Sequence, residues 1–173
     1  MSTKQGIDIQ AKINVLCLHG YTQNNTLFSK TINVLFKKNE SSHLRFLVPN
    51  GNYIVSDGNY IVSEEETREV GGSWKTESFT KLYTYENIQE SIDYIKDFIK
   101  EERIDCVLGF SQGAVFSSIL LSQNILLDCK MAVIIAGSGI QDPSLSSIPQ
   151  IDVEAILYSG EADTLCPPDG SRF

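Results

Sequence analysis

Two histidines, His19 and His43, are all that this chain of 173 residues contains, beside one tryptophan and 14 lysines and arginines set against 22 acidic residues. Each shortage excludes something. A net charge of −8 and an isoelectric point near 4.7 leave no clustered basic face for nucleic acid. No apolar run is long enough to span a bilayer, and the start, Met-Ser-Thr-Lys-Gln-Gly-Ile-Asp, lacks a signal-peptide core. A soluble, cytoplasmic protein without a membrane span is therefore the expectation. Cys17, Cys106, Cys129 and Cys166 show no Cys-x-x-Cys or metal-type spacing and read as reduced thiols, two of them inside apolar strands. The absence of Gly-x-Gly-x-x-Gly and of a Walker lysine at the turn between Gly109 and Gly113 makes phosphate or nucleotide binding the weakest reading of that turn.

What is present is a core-forming composition, 42% hydrophobic and 21% charged, enough for a single domain over residues 1–173. Its organising stretch runs from Ile104 to Phe116, Ile-Asp-Cys-Val-Leu-Gly-Phe-Ser-Gln-Gly-Ala-Val-Phe. An apolar strand pattern breaks at Gly109 and a helical pattern begins just after Gln112. Gly-x-Ser-x-Gly in that context predicts a sharp turn that raises Ser111 above the carboxyl end of a sheet, with Gly109 and Gly113 leaving room for it. The plain alternative is a strand end closed by small residues.

In chain order, Ile13 to Leu18 reads as a buried strand ending in His19-Gly20-Tyr21. Residues 26–38 then place Phe28, Ile32, Leu35 and Phe36 at helical spacing, with Asn24 or Asn25 as N-cap. Leu44 to Val48 is a second strand, stopped by Pro49-Asn50-Gly51. Tyr85 to Arg103 carries a helical stripe of Tyr85, Ile88, Ile92, Ile95, Phe98 and Ile99, with Thr84 as a possible cap. The helix beyond Ser111 aims Val115, Phe116, Ile119 and Leu120 at a core. Met131 to Ala136 and Ala155 to Tyr158 read as further buried strands. Almost wholly apolar strands alternating with helices predict an α/β fold, a parallel sheet covered on both faces, with ligands gathering beyond the carboxyl ends of the strands.

Between these units, Gly51-Asn52-Tyr53-Ile54-Val55-Ser56-Asp57 is followed at once by Gly58-Asn59-Tyr60-Ile61-Val62-Ser63-Glu64, a near-perfect tandem repeat. Two copies are too few for a solenoid, so residues 51–82 read as a surface excursion in which a duplication is tolerated. Glu64-Glu65-Glu66 reads as a solvated face. Trp74, after Gly71-Gly72-Ser73, either plugs this loop onto the body or walls a pocket.

The strand ends hold the ingredients of acyl transfer: a nucleophile, an acid that orients a base, and donors for an oxyanion. Ser111 is the candidate nucleophile. The backbone N–H of Gln112, at the positive end of a helix, and that of Tyr21 are the candidate oxyanion donors. Asp163, in Ser159-Gly160-Glu161-Ala162-Asp163 just past a strand, is the candidate acid, although turn chemistry alone also accounts for an aspartate there.

Together, Val15-Leu16-Cys17-Leu18-His19-Gly20-Tyr21 with Gln23, the stretch from Glu86 to Ile95, Val107 to Ala114, and Gly160-Glu161-Ala162-Asp163 followed by Pro167-Pro168 and Ser171-Arg172 resemble the FSH group of serine hydrolases. The resemblance runs from about Ile13 to Arg172 and is weak over the repeat and the loop to Trp74. It implies an α/β-hydrolase fold and a hydrolase of carboxylic esters or thioesters that needs neither metal nor organic cofactor, with Ser111 as nucleophile, Asp163 as triad acid and a small-molecule ester or thioester as substrate. It leaves the oligomeric state open.

Members of that group continue through a helix and a strand to a catalytic histidine. The expectation is thus a C-terminally incomplete domain whose last helix, last strand and histidine lie beyond Phe173. Of the two histidines present, His43 opens a strand at the wrong edge, while His19 is a poor but nearer substitute for the base. The competing reading is an inactive, hydrolase-derived module that holds an acyl or ester ligand. The apolar and aromatic residues Tyr21, Trp74 and Phe110 suggest an acyl chain in either case.

Overall fold

A computed structural model describes residues 12–36, 42–51, 53–56, 59–61, 72–73, 88–137, 139–140 and 153–163. Five strands, β1 (Ile13–Leu18), β2 (Leu44–Leu47), β6 (Cys106–Phe110), β7 (Met131–Ile135) and β8 (Glu154–Tyr158), form one parallel sheet in the order β2-β1-β6-β7-β8. Three helices accompany them among the described residues: α1 (Asn25–Leu35), α2 (Ile88–Ile99) and α3 (Gln112–Ser122).

The alternation of side chains along each strand splits the core in two. Leu16, Leu18, Val107, Ala132 and Ile134 belong to the larger cluster, with Ile92, Ile95 and Ile99 of α2 and Phe116, Ile119 and Leu120 of α3. Val15, Cys17, Cys106 and Leu108 turn the other way and meet Phe28 and Ile32 of α1. Helix α3 is buried almost all round, so it lies in the middle of the fold. Each of its large apolar side chains contributes about 1.5–3 kcal/mol by burial.

Helix α1 begins as expected, with the Asn24 side chain accepting from the Leu27 N–H at 2.8 Å. It ends earlier than residue 38. Leu35 faces solvent, 57% exposed, because the chain turns extended at Phe36, whose ring packs on Phe46 with centroids 5.2 Å apart. On α2 the expected stripe holds at Ile92, Ile95 and Ile99, whereas Phe98 is 39% exposed; Tyr85 and Thr84 lie outside the described residues.

The sheet is covered by helices on both faces, α2 and α3 on one and α1 on the other, but strand β8 corrects the expectation of a further buried strand. Its position is right and its surroundings are not. All five residues are exposed, Tyr158 by 69%, β8 being the last strand of the sheet and paired, among the described residues, with β7 alone. Among the described residues the amino-terminal half of the α1 face is also uncovered. A cavity of about 580 Å³ lies there, lined by Ile13, Val15, Phe36, Leu44, Phe46 and Met131 among others.

The excursion contains order that its sequence was not expected to have. Strands β3 (Tyr53–Ser56), β4 (Asn59–Ile61) and β5 (Gly72–Ser73) form a separate antiparallel sheet in the order β4-β3-β5. The two copies of the repeat pair with one another, Ile54 opposite Ile61, Val55 opposite Tyr60 and Ser56 opposite Asn59. Only Asp57-Gly58 lies between them, a dipeptide strongly favoured between hairpin strands. Trp74 and Cys166 lie outside the described residues.

Candidate active site

Ser111 is the single residue between β6 and α3, and its backbone is held at φ 51° and ψ −116°, a region that L-residues avoid. Hydrogen bonds fix it from both sides. Its N–H donates to the Ile135 carbonyl at 2.8 Å, and its own carbonyl accepts from Ala114 at 2.9 Å and Val115 at 3.3 Å. A serine in this position commonly caps the helix with its hydroxyl; here the side chain makes no capping bond.

The flanking glycines are required by contact. A Cβ on Gly109 would come 2.5 Å from Ser117 Oγ and 2.6 Å from the Gly113 carbonyl oxygen. One on Gly113 would run into the Leu18 carbonyl and sit 2.5 Å from that of His19. The first turn of α3 therefore rests directly on the backbone at the end of β1.

That end of β1 carries the second candidate donor. The chain folds back over residues 20–23: the Gln23 N–H donates to the Gly20 carbonyl at 3.2 Å, and the Gly20 N–H to Gln23 Oε1 at 2.9 Å. Thr22 takes φ 60° to complete the turn. Tyr21, inside it, is 38% exposed, and Gly20 has no room for a Cβ beside the Phe110 ring. Gln112 is buried in the first turn of α3, where helix N–H groups point outward and the dipole is positive.

His19 has a different duty from proton transfer. It is fully buried, its Nε2 accepts from the Gly51 N–H at 2.7 Å, and its Nδ1 lies 2.8 Å from the Gly20 carbonyl oxygen. Nε2 accepts, so Nδ1 carries the proton and donates it to that carbonyl. Burial lowers its pKa to about 4, only partly opposed by the bond to Gly20, so the ring is neutral at physiological pH. With both nitrogens engaged, His19 cannot serve as a base. His43 lies just before β2, exposed, at the amino-terminal edge of the sheet.

Asp163 is half-buried at the close of a turn, its N–H donating to the Gly160 carbonyl at 3.0 Å. The strands leading to it and to Ser111 end level, since Phe110 pairs with Ile135 and Ile135 with Tyr158. Ser111 and Asp163 thus stand at the same edge, two strands apart, with β7 between their strands. Sequence reasoning missed Asn50 and Gly51, read only as a stop signal. Both are buried, and Asn50 Oδ1 accepts from the Asn25 N–H at 2.7 Å. Among the described residues no cluster of three or more His, Cys, Asp or Glu could hold a metal, and no helix is long and apolar enough to cross a membrane.

A mostly parallel sheet of this order, with a serine at a strand-to-helix junction, defines an α/β-hydrolase fold. The solved structures it resembles agree. Arabidopsis thaliana SOBER1 superposes with a TM-score of 0.60 at 18% identity, covering 93% of this chain and 80% of that one. Zea mays acyl-protein thioesterase 2 does so with a TM-score of 0.61 at 18% identity, covering 95% and 77%. The family model for serine hydrolase (FSH1) matches residues 9–173, and the chain belongs to that family. It is 25% identical over 183 residues to an esterase of Aedes aegypti, spanning 98% of this chain and 66% of that protein. It is also 25% identical over 179 residues to a Schizosaccharomyces pombe protein named dihydrofolate reductase, spanning 90% of this chain and 38% of that protein. The chain thus spans less than two-thirds of either relative's length.

Proposed function

We propose that the chain supplies the nucleophile, the orienting acid and the oxyanion donors of a hydrolase acting on carboxylic esters or thioesters. The observation that carries this reading is Ser111 itself, held at positive φ between two glycines that admit no side chain, its hydroxyl excused from helix capping. This is the geometry of a nucleophile elbow. Ser111 Oγ attacks the acyl carbon as its proton passes to a histidine, and the N–H groups of Gln112 and Tyr21 take up the charge on the carbonyl oxygen. The alcohol or thiol leaves with the proton from that histidine. Water then attacks the acyl-serine, yielding the acid and restoring the hydroxyl. Asp163 orients the histidine.

The base in this proposal is a histidine of polypeptide beyond Phe173. Supporting this, both nitrogens of His19 are engaged and His43 lies at the opposite edge. The mosquito esterase, moreover, exceeds the matched span by a third of its length. A cytoplasmic location fits three buried, unpaired cysteines, Cys17, Cys106 and Cys129. The same two histidines favour one other reading, a protein that holds an acyl or ester ligand without cleaving it.

The deciding experiment treats protein from its natural source with a serine-directed fluorophosphonate and follows hydrolysis of acyl esters and thioesters. Labelling at Ser111, with turnover abolished in Ser111→Ala, is expected. Turnover that survives Ser111→Ala removes the nucleophile assignment; ester binding without labelling or turnover selects the binding protein.

A further inference from the structure

Gln23 has no step of its own in the proposed chemistry, yet its side chain closes the turn that carries the Tyr21 N–H. Its Oε1 accepts from the Gly20 N–H at 2.9 Å, while its backbone N–H donates to the Gly20 carbonyl at 3.2 Å. Residues 20–23 are thereby fastened twice, once through the backbone and once through the side chain. Thr22, third in the turn, takes φ 60°, a conformation that a β-branched residue holds only where its surroundings enforce it. The His19 ring adds a further bond, its Nδ1–H donating to the same Gly20 carbonyl at 2.8 Å.

Peptide geometry turns these bonds into an aim. In a trans peptide the carbonyl oxygen of one residue and the N–H of the next lie in one plane and point opposite ways, and no peptide among the described residues is cis. With the Gly20 carbonyl turned toward the His19 ring and the Gln23 N–H, the Tyr21 N–H is turned away from both. The turn also stands against the nucleophile's own strand and helix. A Cβ on Gly20 would sit 2.9 Å from the ring of Phe110, the residue before Ser111, and one on Gly113 would sit 2.5 Å from the His19 carbonyl oxygen. A donor stabilises an oxyanion best when it is aimed before the charge appears.

We propose that Gln23 is a positioning residue for the oxyanion site. By holding both the N–H and the carbonyl of Gly20, it fixes the Gly20–Tyr21 peptide in the orientation that presents the Tyr21 N–H to the carbonyl oxygen of the substrate. This rests on the hydrolase reading for its consequence in catalysis, whereas the hold on the peptide stands apart from it. His19 and Gln23 divide the work: the ring meets the Gly20 carbonyl, and the Gln23 side chain meets the N–H of the preceding peptide.

Two measurements test it. In the catalytically competent protein, Gln23→Met keeps the length of the side chain and removes the amide acceptor. It should lower kcat for ester hydrolysis about tenfold or more and leave KM within about twofold, because an oxyanion donor acts in the transition state. In the same protein, amide hydrogen exchange at residue 23 reports whether that N–H still meets the Gly20 carbonyl. Exchange there should quicken about tenfold or more in Gln23→Met and hold steady in Gln23→Glu, whose carboxylate keeps an acceptor, with Cys17 and Leu18 of β1 unchanged in both. An unaltered kcat, or a loss confined to KM, overturns the proposal, as does exchange at residue 23 that Gln23→Met leaves as it was. Should no ester be turned over, or turnover survive Ser111→Ala, it is the hydrolase reading that fails, and exchange at residue 23 still decides the hold of Gln23 on the peptide.

Discussion

The N–H of Gly51 points at Nε2 of His19 across 2.7 Å, joining the loop after β2 to the loop after β1. The bond requires a neutral ring. Because burial depresses the His19 pKa to about 4, against an ordinary 6.5, the unfolded chain takes up a proton between these values that the folded chain refuses. Stability is therefore full above about pH 6.5 and falls as the pH drops toward 4, by roughly 3 kcal/mol in all. Denaturation midpoints between pH 4 and 7.5 should show this slope, and His19→Gln, whose amide offers both a donor and an acceptor, should flatten it.

Relief of strain should be measurable at Ser111. Glycine accepts positive φ without a steric cost, so Ser111→Gly should raise stability by about 1 kcal/mol, while Ser111→Ala keeps the strain and gains nothing. Thermal unfolding of the two variants side by side decides it; the same or lower stability for the glycine variant would mean that the backbone is relaxed.

The glycines of the junction should respond unlike an ordinary loop glycine. Gly113→Ala drives a methyl group into the carbonyl oxygens of Leu18, the last residue of β1, and of His19 just after it, and should cost several times the roughly 1 kcal/mol that alanine gains in a helix. Gly160→Ala, whose added carbon would have no neighbour nearer than 3.8 Å, should be nearly neutral. Urea denaturation of both provides the comparison.

How much of this could be read from the chain varies with the kind of signal. The strands β1, β6 and β7, the Asn24 cap and the junction at Ser111 follow from local pattern, because apolar runs, capping side chains and paired glycines act on their own neighbours. The exposure of β8 does not: Ala-Ile-Leu-Tyr has the composition of a central strand, and only its place at the end of the sheet leaves it uncovered. The roles of His19 and Asn50 depend on partners 32 and 25 residues away and have no local signature. The hairpin is legible too, because Asp57-Gly58 between two apolar runs is a local turn signal that the repetition of the heptad does not alter.

Thiol chemistry gives a further check on the core. Burial pushes the thiol of Cys106 up to about 11 and that of Cys17 well beyond its ordinary range, and Cys129 is raised as well. In native protein at pH 8 these three should resist iodoacetamide, and their alkylation should track unfolding. Rapid modification of any one without loss of structure would show that its cover opens locally.

Strand β1 sits between β2 and β6, and its second neighbour arrives late. Asn14 and Asp105, joined by hydrogen bonds at the foot of that pair, are 91 residues apart in the chain. Until β6 has been synthesised, β1 has β2 as its only neighbour in the sheet, and a two-stranded pair has little stability of its own. Closing so long a loop first makes folding slow, and it leaves the early apolar strands open to other chains meanwhile. The strand that leads to Ser111 is thus also the one that gives β1 its second neighbour, so that during synthesis the candidate nucleophile is made together with the strand that secures the first half of the sheet.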